Sequence, residues 1–220
     1  MKAWAGMPVV PDVVDAELDE WIAEPLGTAF AIADARIVGA DLESARAAGG
    51  SIARSRVSSA RLAASRLRSL SLIDVVLSDC DASNADWTGA RMKRVIFERC
   101  RLTGATFTEV DAEDVVFRDC RLDLATFRSG RIVHTVFDRC RLDEADLYGV
   151  ALQGVRFEGC EVRRVDFDQA RLRGADFRGS ELDDPRGDLR ALRGAIIDSV
   201  QLGGLAPLLA AQLGIEVDDG

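Results

Sequence analysis

The chain has 220 residues, 48% of them hydrophobic, with a formal net charge of −9 and a calculated isoelectric point of 4.8. That balance suits one soluble domain with a long thin core, and it disfavours direct binding to nucleic acid, whose phosphates the protein would repel. No apolar run reaches the roughly eighteen residues of a membrane-spanning helix, and residues 1–10 are too weakly apolar for a signal peptide, so a cytoplasmic protein is expected.

Residues 12–24 predict a short helix. Asp12 follows Pro11 in an N-cap position, and Asp15 falls in the first turn, where acidic residues are favoured. Val14, Leu18, Trp21 and Ile22 then share one face. Such a helix would cover the open end of the next segment, and a partner-binding helix is the sharper alternative. Residues 1–29 are read as an N-terminal cap.

From Phe30 to Leu182 a large apolar residue falls on nearly every fifth position, as in Leu62, Leu67, Leu72 and Leu77 or Leu142, Leu147, Leu152 and Phe157. Two positions before each stands a second small or apolar residue, such as Ala85, Val95 or Ala105. A period of five fits neither a helix nor a simple strand. It fits a short extended side with two inward residues, followed by a corner. Cys80, Cys100, Cys120, Cys140 and Cys160 recur every twenty residues, and so do Phe97, Phe117, Phe137, Phe157 and Phe177. One coil is therefore four five-residue sides, and like residues stack in columns. About eight coils at one strand spacing each give a four-sided β-helix roughly 38 Å long. The five cysteines are odd in number and columnar, which suits buried thiols better than disulfides or a converging metal cluster.

The register breaks near residues 183–190, where Pro185 and Gly187 take the inward positions. It is expected to resume at Leu192, Ile197 and Leu202, so the solenoid is assigned to residues 30–203. Within residues 204–220, Leu205 to Leu213 predicts a helix with Pro207 in its first turn, Gly214 as its stop and an extended tail of Ile215 and Val217. Leu202, Leu205, Leu208, Leu209, Leu213, Ile215 and Val217 offer more apolar surface than one coil end needs. A homodimer joined through this C-terminal segment is expected.

Tracts such as Ala40-Asp41-Leu42-Glu43-Ser44, Ala145-Asp146-Leu147-Tyr148-Gly149 and Ala175-Asp176-Phe177-Arg178-Gly179 resemble the motif of the pentapeptide-repeat family. The resemblance implies an all-β fold, a right-handed quadrilateral β-helix, here with short N-terminal and C-terminal helical segments. One branch of that family binds DNA gyrase as a DNA mimic and affects quinolone sensitivity. The resemblance extends to that branch in chain length and in the C-terminal run Gln201 to Val217, which looks like its subunit-pairing segment. Two departures stand out. Outward positions here mix signs, as at Arg118/Asp119 and Asp138/Arg139, and no loop insertion interrupts Phe30 to Leu182.

Catalytic constellations are missing from the sequence, so no enzyme activity and no cofactor are expected. His134, the one histidine, sits at an outward corner. Asp41, Asp81, Asp86, Asp146, Asp166 and Asp176 recur just before the central residue, as corner and solubility residues rather than acid/base pairs. Charge is uneven, with −5 over residues 1–29, +4 over residues 30–72 and −8 thereafter. Arg46, Arg54, Arg56, Arg61, Arg66 and Arg68 could hold a phosphate backbone or an acidic partner. Solvation and pairing with the acidic N-terminal segment accounts for them equally well. Two functions remain open: a DNA-mimicking binder of DNA gyrase, and a generic scaffold or regulatory protein with a different protein partner.

Overall fold

In the computed structural model, residues 7–21 and 27–217 are described. The chain winds into a quadrilateral β-helix of about eight coils. We name the sides by one coil: side A is residues 90–94, B is 95–99, C is 100–104 and D is 105–109, each repeating every twenty residues.

Each side pairs in parallel with the side twenty residues on. Ile52 faces Leu72, Leu77 faces Phe97, Phe97 faces Phe117, and Phe137 faces Phe157. The bonds run between coils: the Leu62 N–H donates to the Asp81 carbonyl at 2.6 Å, and the Arg61 N–H to the Ala40 carbonyl at 2.8 Å. A coil thus satisfies its backbone on its neighbours, which is why the unit is stable only in a stack.

The corners have a left-handed residue at the end of each five-residue unit. Asn84 has φ +55°, Leu124 +60° and Arg99 +51°. After sides C and D the corner closes on a bond three residues back, as from the Ala85 N–H to the Ala82 carbonyl at 3.1 Å. A positive φ at the third residue of such a turn is what a type II turn requires. Gly104 meets it without strain at φ +67°, whereas a residue with a β-carbon gives up roughly 1–2 kcal/mol there.

The lumen is apolar and aromatic. Phe97, Phe117 and Phe137 stack with ring centroids 4.9 Å apart and planes within 6°. A second column on side D meets the first edge-on, with Phe127 at 84° to Phe117 and 88° to Phe137. Both arrangements are favourable for aromatic quadrupoles. Trp87 is fully buried, and its indole N–H donates to the Ser65 hydroxyl at 3.2 Å. All five cysteines are buried free thiols. Each donates to a carbonyl of the preceding coil, as Cys100 does to Leu77 and Cys160 to Phe137, and Ser180 continues the row by donating to Phe157 at 2.9 Å.

The N-terminal segment departs from the expected helix over residues 12–24. Only Asp15–Glu17 form a single 3-10 turn, and Asp19–Glu20 are extended, pairing in parallel with Ala35 and Arg36. Ile22 and the rest of that stretch to residue 24 lie outside the described residues. Two forces override the helical spacing. The first coil exposes an unpaired strand edge that the chain itself can fill. Trp21 also packs against the core at the lumen's end together with Phe30. Upstream the chain lies along the rod as a strap. Pro8 is buried, the Asp12 N–H donates to Asp74 Oδ1 at 3.1 Å, and the Arg156 guanidinium reaches Met7 Sδ.

At the other end Asp188 caps a 3-10 turn over Leu189–Leu192, and the ladder continues to a bridge between Asp176 and Ile196. Leu192 and Ile197 pack against the core, but Leu202 does not continue the inward series. The helix begins earlier than expected, spanning Ser199–Leu213, so Pro207 lies inside it rather than in its first turn. The cause is a capping box. Asp198 accepts from the Val200 and Gln201 N–H groups, and the Gln201 side chain accepts from the Asp198 N–H at 2.9 Å. Gly214 at φ +69° ends the helix, with the Ile215 N–H returning to the Ala210 carbonyl at 2.9 Å.

Candidate interaction surface

The outward positions form an ion-pair lattice with a simple rule. Residues twenty apart lie side by side on adjacent coils, so a column can pair with itself if its signs alternate. The corner column after side A reads Asp34, Arg54, Asp74, Arg94, Asp114 and His134; the one after side B reads Asp79, Arg99, Asp119 and Arg139. Arg94 holds Asp74 with two bonds, Nε to Oδ1 at 2.6 Å and Nη2 to Oδ2 at 2.5 Å. Arg54 holds Asp34, Arg99 holds Asp79 and Arg139 holds Asp119 in the same bidentate way.

These contacts set the local electrostatics. The Arg94 guanidinium, helped by the Asp12 N–H and opposed by burial, keeps the Asp74 carboxyl below its ordinary value of 3.8. Arg99 does the same for Asp79, and Arg139 for Asp119. Most of these pairs are half exposed to water, where each contributes little. Asp74 is the exception, at 6% exposure.

The recurring aspartates serve the corners. Asp86 accepts from the Thr88 N–H at 3.2 Å, Asp146 from Tyr148 at 3.0 Å, Asp166 from Asp168 at 2.8 Å and Asp176 from Arg178 at 3.1 Å. Asp41 and Asp81 make the same bond to the residue two places on. This is the Asx turn, which favours aspartate at that spacing. His134 lies 3.9 Å from Asp114 in the alternating column.

The arginine stretch resolves largely into internal pairing. Arg54 meets Asp34, Arg56 meets Asp15 of the strap, Arg61 meets Asp41 and Glu43, and Arg68 meets Asp86. Arg46 and Arg66 stand beside each other in the ladder without a carboxylate partner among the described residues.

The ten column residues all lie inside. Cys80, Cys100, Cys120, Cys140, Cys160, Phe97, Phe117, Phe137, Phe157 and Phe177 are each at most 3% exposed. Contact with the Cys120 and Cys160 thiols, followed by burial, pushes the Cys140 thiol up. The C-terminal apolar set divides. Leu205 is buried over the last coil, and Leu208 and Leu209 pack half-buried beside it. Leu202, Leu213, Ile215 and Val217 are 50–73% exposed, and Val200 joins them at 83%. Sequence spacing missed Val200 because it lies ahead of the expected helix start.

Two hollows border the ends. At the Pro185 break, Gly187, Asp188, Leu189, Arg190, Leu209, Gln212 and Leu213 line a cleft whose one carboxylate, Asp188, is paired with Arg190 at 2.8 Å. Under the strap, Asp12, Glu17 and Asp34 gather near Arg54, which holds Asp34. Among the described residues no three His, Cys, Asp or Glu side chains converge as a metal-ligand set, and no helix is long and apolar enough to cross a membrane.

A family profile described as a pentapeptide repeat region matches residues 50–127, 90–167 and 113–186. Among solved structures, a trypsin-treated variant of QnrB1, a plasmid-mediated fluoroquinolone resistance protein, is 20% identical. That alignment covers 90% of this chain and 96% of that one, with a TM-score of 0.47. HetL, a pentapeptide repeat protein involved in heterocyst differentiation regulation from the cyanobacterium Nostoc, is 18% identical over 77% of this chain and 90% of its own, with a TM-score of 0.37. Full-length QnrB1 is 22% identical over 85% and 100%, with a TM-score of 0.32. No curated protein matches the chain. With the profile spanning residues 50–186 and the coils closing after four five-residue sides, the chain belongs to the pentapeptide repeat family.

Proposed function

We propose that the protein works by binding another protein and that this partner is DNA gyrase, which the rod engages along the path of duplex DNA, altering fluoroquinolone sensitivity. The observation that carries this reading is where the surplus negative charge sits. Asp166, Asp168, Asp183 and Asp184 gather on sides C and D of the last coils without a cation partner among the described residues. Carboxylates on a stiff rod offer negative charge at fixed spacing, as duplex phosphates do, to a surface built to bind DNA. Membership in a family with a gyrase-binding branch supports the same reading. Two copies would join through Leu202, Leu213, Ile215 and Val217, with Leu205, Leu208 and Leu209 seating the helix beneath them.

The test is a gyrase supercoiling assay with purified protein, with and without a fluoroquinolone. Inhibition of supercoiling, or protection from the drug, is expected at micromolar protein, weakened by the double change Asp166→Lys and Asp168→Lys. No effect of the unmodified protein removes gyrase as partner. The alternating signs of the side A and side B corners, which interrupt a continuous negative stripe, then favour a scaffold for a different protein.

A further inference from the structure

Most arginines of the rod are answered by a carboxylate on a neighbouring coil. Three on side A of the last coils are not. Arg171, Arg173 and Arg193 are exposed, and none has a carboxylate within ion-pairing distance among the described residues. Arg171 bridges to Ala151 in the coil before, and past the 3-10 turn the Gly174 N–H donates to the Gly194 carbonyl at 2.8 Å, one residue beyond the usual register. That bond and the Arg173 Cα, 3.5 Å from where a Gly194 β-carbon would sit, bring residues 193–194 against residues 173–174, and Arg171 stands roughly 7 Å from Arg173 along the same side.

The surroundings are blank. The alternating corner column that runs from Asp34 to His134 continues as Gly154, Gly174 and Gly194, so this column supplies no acidic side chain beside the three guanidiniums. Ala151 and Gln153 occupy the matching places one coil earlier. Among the described residues these three form an exposed cationic cluster on one side of the rod.

We propose that side A of the last coils, through Arg171, Arg173 and Arg193, is a docking surface for an acidic segment of a protein partner. Guanidinium forks bind carboxylates in a bidentate way, and three on adjacent coils match a segment with two or three successive acidic residues. Nucleic acid fits less well, because a long phosphate chain leaving so small a patch would meet a protein of net charge −9. The inference rests on the reading of the chain as a protein-binding rod, but on a different side, with the opposite charge, from the one offered to gyrase.

Fluorescence anisotropy with the full chain tests it, using a labelled hexaglutamate peptide as probe and a labelled oligothymidylate of equal charge beside it. Saturable, salt-sensitive hexaglutamate binding is expected. It should fall at least tenfold in the triple variant Arg171→Gln, Arg173→Gln and Arg193→Gln, and fall less in the corresponding triple change to lysine, which keeps the charge but not the fork. Arg46→Gln with Arg66→Gln, which removes another open pair, should leave it within twofold. Unchanged melting temperatures exclude unfolding as the cause. Absence of binding to the unmodified protein at a hundred micromolar, equal loss in the Arg46/Arg66 variant, or tighter binding of oligothymidylate would each overturn the proposal. A negative gyrase assay would not.

Discussion

At the scale of single residues, Asp74 shows how the lattice depends on protonation. Its carboxylate receives both bonds from Arg94 and one from the strap's Asp12 N–H, which lowers its folded pKa below the ordinary 3.8. A group with a depressed folded pKa stabilises the fold fully above its unfolded value and loses that contribution as pH falls through the folded one. Asp79, Asp119, Glu144 and Glu181 are shifted the same way by Arg99, Arg139, Arg164 and Arg163. Urea midpoints should therefore hold steady down to about pH 5 and drop below about pH 4. Asp74→Asn should cost about 1–2 kcal/mol at neutral pH by taking away a nearly buried acceptor, and should flatten the acid limb. An unchanged midpoint for that variant would count against the strap and Arg94 acting on Asp74.

At the scale of elements, the C-terminal helix is held by one side chain with two tasks. The Gln201 oxygen closes the capping box, while its Nε2 donates to the carbonyls of Phe177 and Ser180 at 2.6 and 2.7 Å. Those carbonyls lie where the helix takes the place of a further side C, so no next coil arrives there to take them. Gln201→Leu should take the Ser180 carbonyl's donor at a buried site and one of two from the Phe177 carbonyl, which keeps the Ser180 N–H at 3.0 Å, costing about 1–3 kcal/mol. Thermal unfolding should read this as a fall of several degrees, and Asp198→Ala, which loosens the helix cap and an exposed bond from the Gly179 N–H, should cost less. The repeats were legible because two columns, of cysteine and of phenylalanine, print the twenty-residue coil directly into the sequence. The ends were less so. Val14, Leu18 and Trp21 have helical spacing, yet the edge of the first coil drew that segment into extended pairing, a tertiary demand that local spacing does not encode. The helix start at Asp198 had a local signal, Asp198-Ser199-Val200-Gln201, which the five-residue register hid by making Leu202 look inward. The alternating corner columns were also present in the sequence, but only a twenty-residue comparison of outward positions brings them out.

At the scale of the whole molecule, the two ends differ in what they leave exposed. The first coil is closed by the chain's own strand and by Trp21, while the last presents Val200, Leu202, Leu213, Ile215 and Val217 beyond its capping helix. Light scattering at tens of micromolar should give twice the 23.8 kDa chain mass. Leu202→Arg with Leu213→Glu should halve it without lowering the melting temperature by more than a degree or two, since both side chains are largely exposed and outside the core. A monomeric mass for the unmodified protein would reject the pairing.

Because four sides of five residues make a coil, position along the chain and compass bearing around the rod are one coordinate. Inserting five residues inside the solenoid would swing everything downstream by a quarter turn, carrying Arg171 and Arg173 from side A to side B and the surplus aspartates with them. Copying a whole coil would only lengthen the rod by about 4.8 Å, with every surface keeping its heading. Such a molecule can change its reach by duplication while its binding faces stay aimed, and the stacked cysteines from Cys80 to Cys160 have the regularity such copying would leave.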